Sequence, residues 1–268
     1  MNTYTVEHPE LGTLPDFYAL HPDPAEVAKR LPVLRGNVEA GKVSLDRLLL
    51  LRSERGVEGT VLLPGPVQVP ASPRFRPGVS AAAMTALARA IRERVVPERL
   101  LVLQDDLAPL RAAPLEAAGW VLADQQVIYE TDLRARSYRR DPQTVEGGPA
   151  WLRRPEVRAL LEADGHSDYA LDENAILVAL EDEGQLAAFG TAGPSGRPGY
   201  ANIHLIGVLP RARGRGLGTR LHAHLLALAA ERFTRHGGVT GADNHAMRRI
   251  FEKNGSRLTV TQMYFRQS

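Results

Sequence analysis

The stretch from Ile203 to Thr219 constrains this chain more than any other. An apolar run, Ile203 to Leu209, ends at Pro210, which cannot donate into a sheet ladder. Three alternating glycines follow, Gly214, Gly216 and Gly218, among Arg211, Arg213 and Arg215. Leu217, Leu221, Leu225 and Leu228 then recur at three- and four-residue spacing, the period of one helix face. The order is strand, glycine-rich turn, helix.

Such a turn suits a phosphate group. Glycines let the backbone come close to a ligand and allow positive φ. The first helical turn has amides without intrahelical partners, and the helix dipole adds partial positive charge there. Two familiar phosphate loops do not fit. The P-loop needs Gly-Lys-Ser/Thr, and this stretch has no lysine. The dinucleotide fingerprint needs G-x-G-x-x-G, whereas this chain has G-x-G-x-G.

The stretch resembles the coenzyme A loop of the GNAT acetyltransferase superfamily, Q/R-x-x-G-x-G/A, through Arg213, Gly216 and Gly218. The resemblance implies acetyl-CoA as acyl donor, with its diphosphate on Arg213, Gly214, Arg215, Gly216, Leu217, Gly218 and Thr219. It also implies that Ile206, Gly207 and Val208 pair with the pantetheine as an added strand. The second family signature, N-x-x-A-x-x-x-Y-x-x-x-G-F, is matched by Asn244 to Ser256, with Met247, Phe251 and Ser256 replacing alanine, tyrosine and phenylalanine. By resemblance Asn244 binds pantetheine and Phe251 lines the thioester pocket. Asn244 reads equally as a helix N-cap.

The family's chemistry is direct attack of a neutral amine on the thioester, with a backbone amide near Val208 polarising the carbonyl. The amine must first lose a proton. His204, where the family often places a glutamate, is the leading base; a strand histidine with no role is the other reading. Strand alternation puts His204, Ile206 and Val208 on one face. Asp243 and His245 are weaker candidates. Phe251 cannot supply the family's usual tyrosine acid, and Tyr264 is the substitute. His222 and His224 are expected at the edges of the long helix; their i, i+2 spacing does not suit a metal, and no metal is expected.

The chain has 268 residues, no cysteine and a formal net charge of +2. Thiolate catalysis is therefore excluded, and the charge does not argue for nucleic acid. No membrane-length apolar run and no signal-peptide pattern occur, so a cytoplasmic monomer or homodimer is expected.

In order along the chain, Tyr4–Val6 reads as a strand and Ala25–Leu34 as a helix interrupted by Pro32. Leu48–Arg52 and Val57–Leu63 read as a hairpin. Prolines at 64, 66, 70, 73 and 77 then prevent long regular elements. Ser80–Val96 is expected to be helical, with the stripe Met84, Leu87, Ile91 and Val95. Leu100–Leu103, Leu107–Ala118 and Val121–Tyr129 read as strand, helix and strand. After a linker come a helix at Glu156–Ala163 and strands at Ala175–Leu180, Gln185–Ala192 and Tyr200–Val208, with Glu181–Gly184 a solvated hairpin tip. Strand Val239–Ala242, helix Asn244–Asn254 capped by Gly255, and strand Leu258–Phe265 close the chain.

The halves repeat. Leu115–Trp120 parallels Phe251–Ser256, each preceded by a long helix and a strand and followed by a closing strand. The expected fold is α/β (α+β), with two tandem GNAT-like domains. Each is a mixed, mostly antiparallel sheet flanked by helices: residues 1–134 degenerate, 135–149 a linker, and 150–268 carrying the acyl-CoA site. Aligned on Arg76, the first half has Val79 and Ala81 at the loop glycines, so one CoA site per chain is expected. Three functions compete: acetyl transfer to a primary amine of a small molecule or peptide, a non-catalytic acyl-CoA-binding module, and aminoacyl-tRNA-dependent transfer. The last resemblance is disfavoured because such enzymes typically lack the loop.

Overall fold

The computed structural model describes residues 3–65, 69–163, 165–171 and 173–268; Pro66 of the proline run lies outside them. The chain divides into two compact units, residues 1–126 with 260–268 and residues 127–259. This division differs from the one expected from sequence. The chain passes between units inside strands rather than in the 135–149 stretch.

The first unit opens with β1 (Thr5–Glu7) and α1 (Pro24–Glu39), followed by β2 (Leu48–Ser53), β3 (Gly56–Leu62) and β4 (Arg74–Phe75). The four strands form an antiparallel sheet in the order β1-β2-β3-β4. β2 explains its own four leucines. Leu49 and Leu51 pack in one core cluster and Leu48 in another, so both faces of this strand are buried. Pro32 does not interrupt α1. Pro32 and Ala28 are both exposed, so water can satisfy the carbonyl that loses its donor.

Next come α2 (Ala81–Arg92), β5 (Leu101–Gln104), α3 (Ala113–Glu116) and β6 (Trp120–Asp132). Met84, Leu87 and Ile91 are fully buried, as the stripe predicts, but the helix ends before Val95. Only Ala113–Glu116 of the expected Leu107–Ala118 helix is helical. β5 pairs antiparallel with the end of β12 (Arg257–Gln267), through Leu101–Phe265 to Gln104–Gln262.

The second unit adds β7 (Thr144–Gly147), α4 (Pro155–Ala163), β8 (Ile176–Asp182), β9 (Gln185–Pro194), β10 (Tyr200–Val208), α5 (Leu217–Ala230), β11 (Arg235–Gly241) and α6 (His245–Lys253). Its strand order is β6-β11-β10-β9-β8-β7. β7 corrects the linker reading, because Thr144 to Gly147 pair antiparallel with Leu180 to Leu177. An edge strand bonded on one side needs no apolar alternation, and Val145 is exposed. The β8–β9 turn places Glu183 and Gly184 at φ 52° and 74°, the backbone of a two-residue hairpin.

The internal repeat has a backbone counterpart. Gly255 directly follows the α6 cap residue Asn254 at φ +82°, and Gly119, two residues past the α3 cap residue Ala117, has φ +84°; both take the left-handed backbone that glycine accepts without strain.

Candidate functional site

β10 runs in antiparallel register with β9, with a shift between Ile203 and Leu205 that leaves His204 as the extra residue of a bulge. The bulge exchanges the faces of the strand. Before it, Ala201 and Ile203 pack in the cluster beneath α5; after it, Leu205 and Leu209 join the cluster beneath α4, while Ile206 and Val208 pack toward α5. A strict two-residue alternation therefore does not carry across His204, although Ile206 and Val208 share a face as expected. His204 is exposed, and Asn202 Nδ2 donates to its Nδ1 at 3.2 Å.

On its other edge β10 pairs parallel with β11 only from Tyr200–Arg235 to Asn202–Gly237. Beyond Asn202 no further pairs join the two strands among the described residues. Ile206, Gly207 and Val208 thus lie where the two strands have stopped pairing. Gly207 is required by packing: a Cβ there would lie 2.8 Å from Leu160 and from two atoms of the Phe189 ring. Gly207→Ala is expected to destabilise the fold by about 1–3 kcal/mol through overpacking. Urea denaturation checks this, and wild-type stability would contradict it.

After Pro210–Ala212, a short 3-10 turn held by buried Ala212, the loop turns through Gly214 and Gly216 at φ +78° and +79°. A Cβ on either would meet nothing within 4 Å, so the backbone faces open space. Gly216 is the N-cap of α5 and supplies no side-chain cap. Thr219 and Arg220 amides bond the Gly216 carbonyl. The amides from Gly214 to Gly218 have no backbone acceptor among the described residues. Gly218 serves packing instead, because a Cβ would lie 2.9 Å from Ile250 and 3.3 Å from Val208.

The three loop arginines differ. Arg211 donates to the Leu186 carbonyl at 2.5 Å. Arg215 pairs with Asp182, so the acidic hairpin tip is anchored rather than merely solvated. Arg213 donates through Nε alone to the Val208 carbonyl at 3.1 Å, which leaves its terminal nitrogens. Asn244 caps α6, accepting from the Met247 amide at 3.0 Å. Asp243 and His245 beside it are exposed.

A profile of the acetyltransferase (GNAT) family matches residues 136–255, which include this strand, loop and helix. Residues 136–255 form a GNAT-family domain. A GCN5-related N-acetyltransferase from Sphaerobacter thermophilus is similar in fold, with 14% identity over 98% of this chain and 95% of that one and a TM-score of 0.51. A putative GNAT-family acetyltransferase from Novosphingobium aromaticivorans is 23% identical over 79% and 89% of the two chains, with a TM-score of 0.46. A tandem GNAT protein from the clavulanic acid biosynthesis pathway is 16% identical over 98% of both, with a TM-score of 0.45. No curated protein matches the sequence.

Behind the loop, the GNAT domain holds a buried aromatic cluster that sequence reasoning missed. Phe251 is 2% exposed. It stacks on Tyr129 at 4.8 Å and meets the His222 ring edge-on at 5.3 Å. It also presses on β11, where a Cβ on Gly238 would lie 2.5 Å from the ring. His222 and His224 are both buried, against the expectation that they edge the helix. The i, i+2 spacing sends them to different flanks, and both flanks are covered. His222 Nδ1 accepts from Asn254 Nδ2 at 2.9 Å. His224 Nδ1 accepts from the Asp141 amide at 2.9 Å, inside the stretch expected as a linker.

His236 on β11 completes the cluster. Its Nδ1 lies 3.0 Å from Thr131 Oγ1, which also bonds Ser256 at 2.7 Å. The Nε2 atoms of His222 and His236 are buried without partners. Burial lowers the His236 pKa to about 4 and pushes His222 well below the ordinary range, with His236 charge adding to the latter. Burial is also the first cause of a lowered His224 pKa.

Tyr264 belongs to the first unit. Its hydroxyl donates to Gln262 Oε1 at 2.8 Å, and burial raises its pKa. Among the described residues no cluster of three or more metal-ligating side chains occurs, and no helix is long and apolar enough to cross a membrane.

Proposed function

We propose that this protein transfers an acetyl group from acetyl-CoA to a primary amine of a small molecule or peptide, using one acyl-CoA site in the second compact unit. The observation that carries the reading is the start of α5. Its uncapped amides and two left-handed glycines face open space, beside a strand end that has lost its neighbour. A diphosphate fits the first feature, and an extended pantetheine arm fits the second. Arg213, with its terminal nitrogens unused, is the cation for the diphosphate. Asn244 keeps its side-chain amide nitrogen for the arm while its oxygen caps α6. The amine nitrogen attacks the thioester carbon, the C–S bond breaks, and the amine proton passes to His204.

The first half supports a single site. Sequence alignment on Arg76 put Val79 at the left-handed position; the structure shifts that register by one. Gly78 has φ +72° and Ser80 is the N-cap of α2, the spacing of Gly214 and Gly216. Here, however, the cap is filled. Ser80 Oγ accepts from the Ala83 amide at 3.1 Å and bonds Tyr4 at 2.7 Å. We read this half, expected from sequence as residues 1–134 and found as 1–126 with 260–268, as a degenerate GNAT-like domain in a tandem protein.

Titration calorimetry with acetyl-CoA tests the reading. One site per chain is expected, and Arg213→Ala should weaken binding by about 1.5–3 kcal/mol, the range for a charged hydrogen bond. Gly216→Asn, which tolerates the left-handed backbone, should also weaken it without unfolding the domain. Two sites per chain, or affinity indifferent to both variants, would overturn it. A second reading, a non-catalytic acyl-CoA-binding module, is favoured by Phe251, which is buried and lacks a hydroxyl. Acetyl-CoA turnover over an amine panel separates the two.

A further inference from the structure

We propose that the first compact unit binds a small organic anion, a phosphate monoester or dicarboxylate with a flat apolar body, in the cavity where Arg30, Arg47 and Arg74 converge. This cavity has a volume of about 560 Å³, within the size range of small-molecule sites. All its lining residues fall in the first unit, and none belongs to the start of α2. It is therefore not the vestige of a coenzyme A loop.

The charge balance of the lining is one-sided. Three arginines reach it from three different elements: α1, the turn before β2, and β4. No aspartate or glutamate is among the described residues that line it. Arg30 is partly answered by Glu26 at 3.3 Å, on the exposed side of α1. Arg47 spends Nε on the Leu63 carbonyl at 3.0 Å, and its terminal nitrogens remain. Arg74 is half-buried, and its guanidinium makes no ion pair or hydrogen bond among the described residues. Burial opposes its charge first; Asp106 favours it, and Arg30 opposes it again. Cations gathered around a cavity with no acid among its described lining residues disfavour the empty site, and a bound anion offsets that penalty.

The rest of the lining indicates the body of the ligand. Phe17 and Tyr18 pack edge-to-face at 5.5 Å, and Tyr18 meets His21 at 6.3 Å. All three line the cavity. They offer ring faces and edges to a planar group. Guanidinium forks match carboxylate and phosphate oxygens in pairs, and three of them suit an anion with more than one charge.

Calorimetry with phenyl phosphate, isophthalate and uncharged benzyl alcohol tests this on the full chain. At least one anion should bind at one per chain and weaken as salt rises, while benzyl alcohol should not bind. The tighter of the two anions identifies the class. Arg74→Gln should weaken anion binding about 10-fold or more. Its folding stability should match or exceed wild type, because an unpaired half-buried charge is removed. Arg30→Gln, on an exposed helix face, should weaken binding in the same direction. Gly216→Asn should leave anion binding unchanged, which separates this site from the acyl-CoA loop. The proposal is overturned if neither anion binds at millimolar concentration, if benzyl alcohol binds as well, or if both arginine variants bind as wild type. Loss of binding in Gly216→Asn would place the anion on the α5 loop and overturn it too.

Discussion

His204→Gln is expected to lower acetyl-transfer turnover by about 10²–10⁴-fold, the range for removal of a general base, while acetyl-CoA affinity stays near wild type. The imidazole is exposed on the bulge of β10, just before the strand end proposed to receive the pantetheine. With Asn202 donating to Nδ1, the neutral ring carries its proton on Nε2. Accepting the amine proton therefore requires Nδ1 to leave that contact. Asn202→Ala should then preserve turnover or raise it, whereas a structural role for the Asn202–His204 pair would make both variants behave alike. The decisive measurement is the pH dependence of kcat/KM. The acidic limb should disappear in His204→Gln. An identical profile in wild type and variant would remove His204 from the mechanism.

Acid should destabilise the GNAT domain well above the carboxylate range. His236 is neutral in the folded state, with a pKa of about 4, whereas the unfolded chain protonates it near the ordinary histidine value of about 6.5. The folded pKa is the lower one. Stability from this group is therefore complete above about pH 6.5 and is lost as the pH falls toward 4. A depression of roughly 2.5 units at 1.36 kcal/mol each corresponds to about 3 kcal/mol. His222, almost completely buried, shifts in the same direction and adds to the loss. Asp141 also has a lowered pKa, set first by its hydrogen bond to Arg220, but its contribution fades only below the ordinary aspartate range. Urea denaturation at neutral pH and near pH 4 measures the sum. His236→Gln should be less stable at neutral pH, since the ring packing is lost, yet its stability should fall less steeply with acid. Parallel pH curves for wild type and variant would show that His236 is not the group responsible.

What the sequence determined by itself is local. The span Tyr200–Val208, the break at Pro210, the glycines at 214 and 216 and the start of α5 are all written in neighbouring residues. Their causes lie within a few bonds: a proline without an N–H, a backbone at positive φ, and leucines at helical spacing. The cap at Asn244 and the left-handed Gly255 are equally local. So was the family, because its signature is this one strand-turn-helix unit.

Tertiary structure decided the rest. Residues 144–147 became a strand only because β8 offered an edge; nothing in Thr144–Gly147 requires pairing. β11 begins four residues earlier than its apolar text, at Arg235 rather than Val239. Gly237 and Gly238 hid the strand, yet Gly238 is needed there because the Phe251 ring leaves no room for a Cβ. The bulge at His204 is invisible to a two-residue period, since it exists only in the register with β9. His222 and His224 were buried by partners about 30 and 80 residues away in sequence, and the three arginines of the first-unit cavity come from separate elements. Local patterns report backbone preference and which face is apolar. They do not report what arrives on that face from a distant part of the chain, and charge, burial and pKa depend on that arrival.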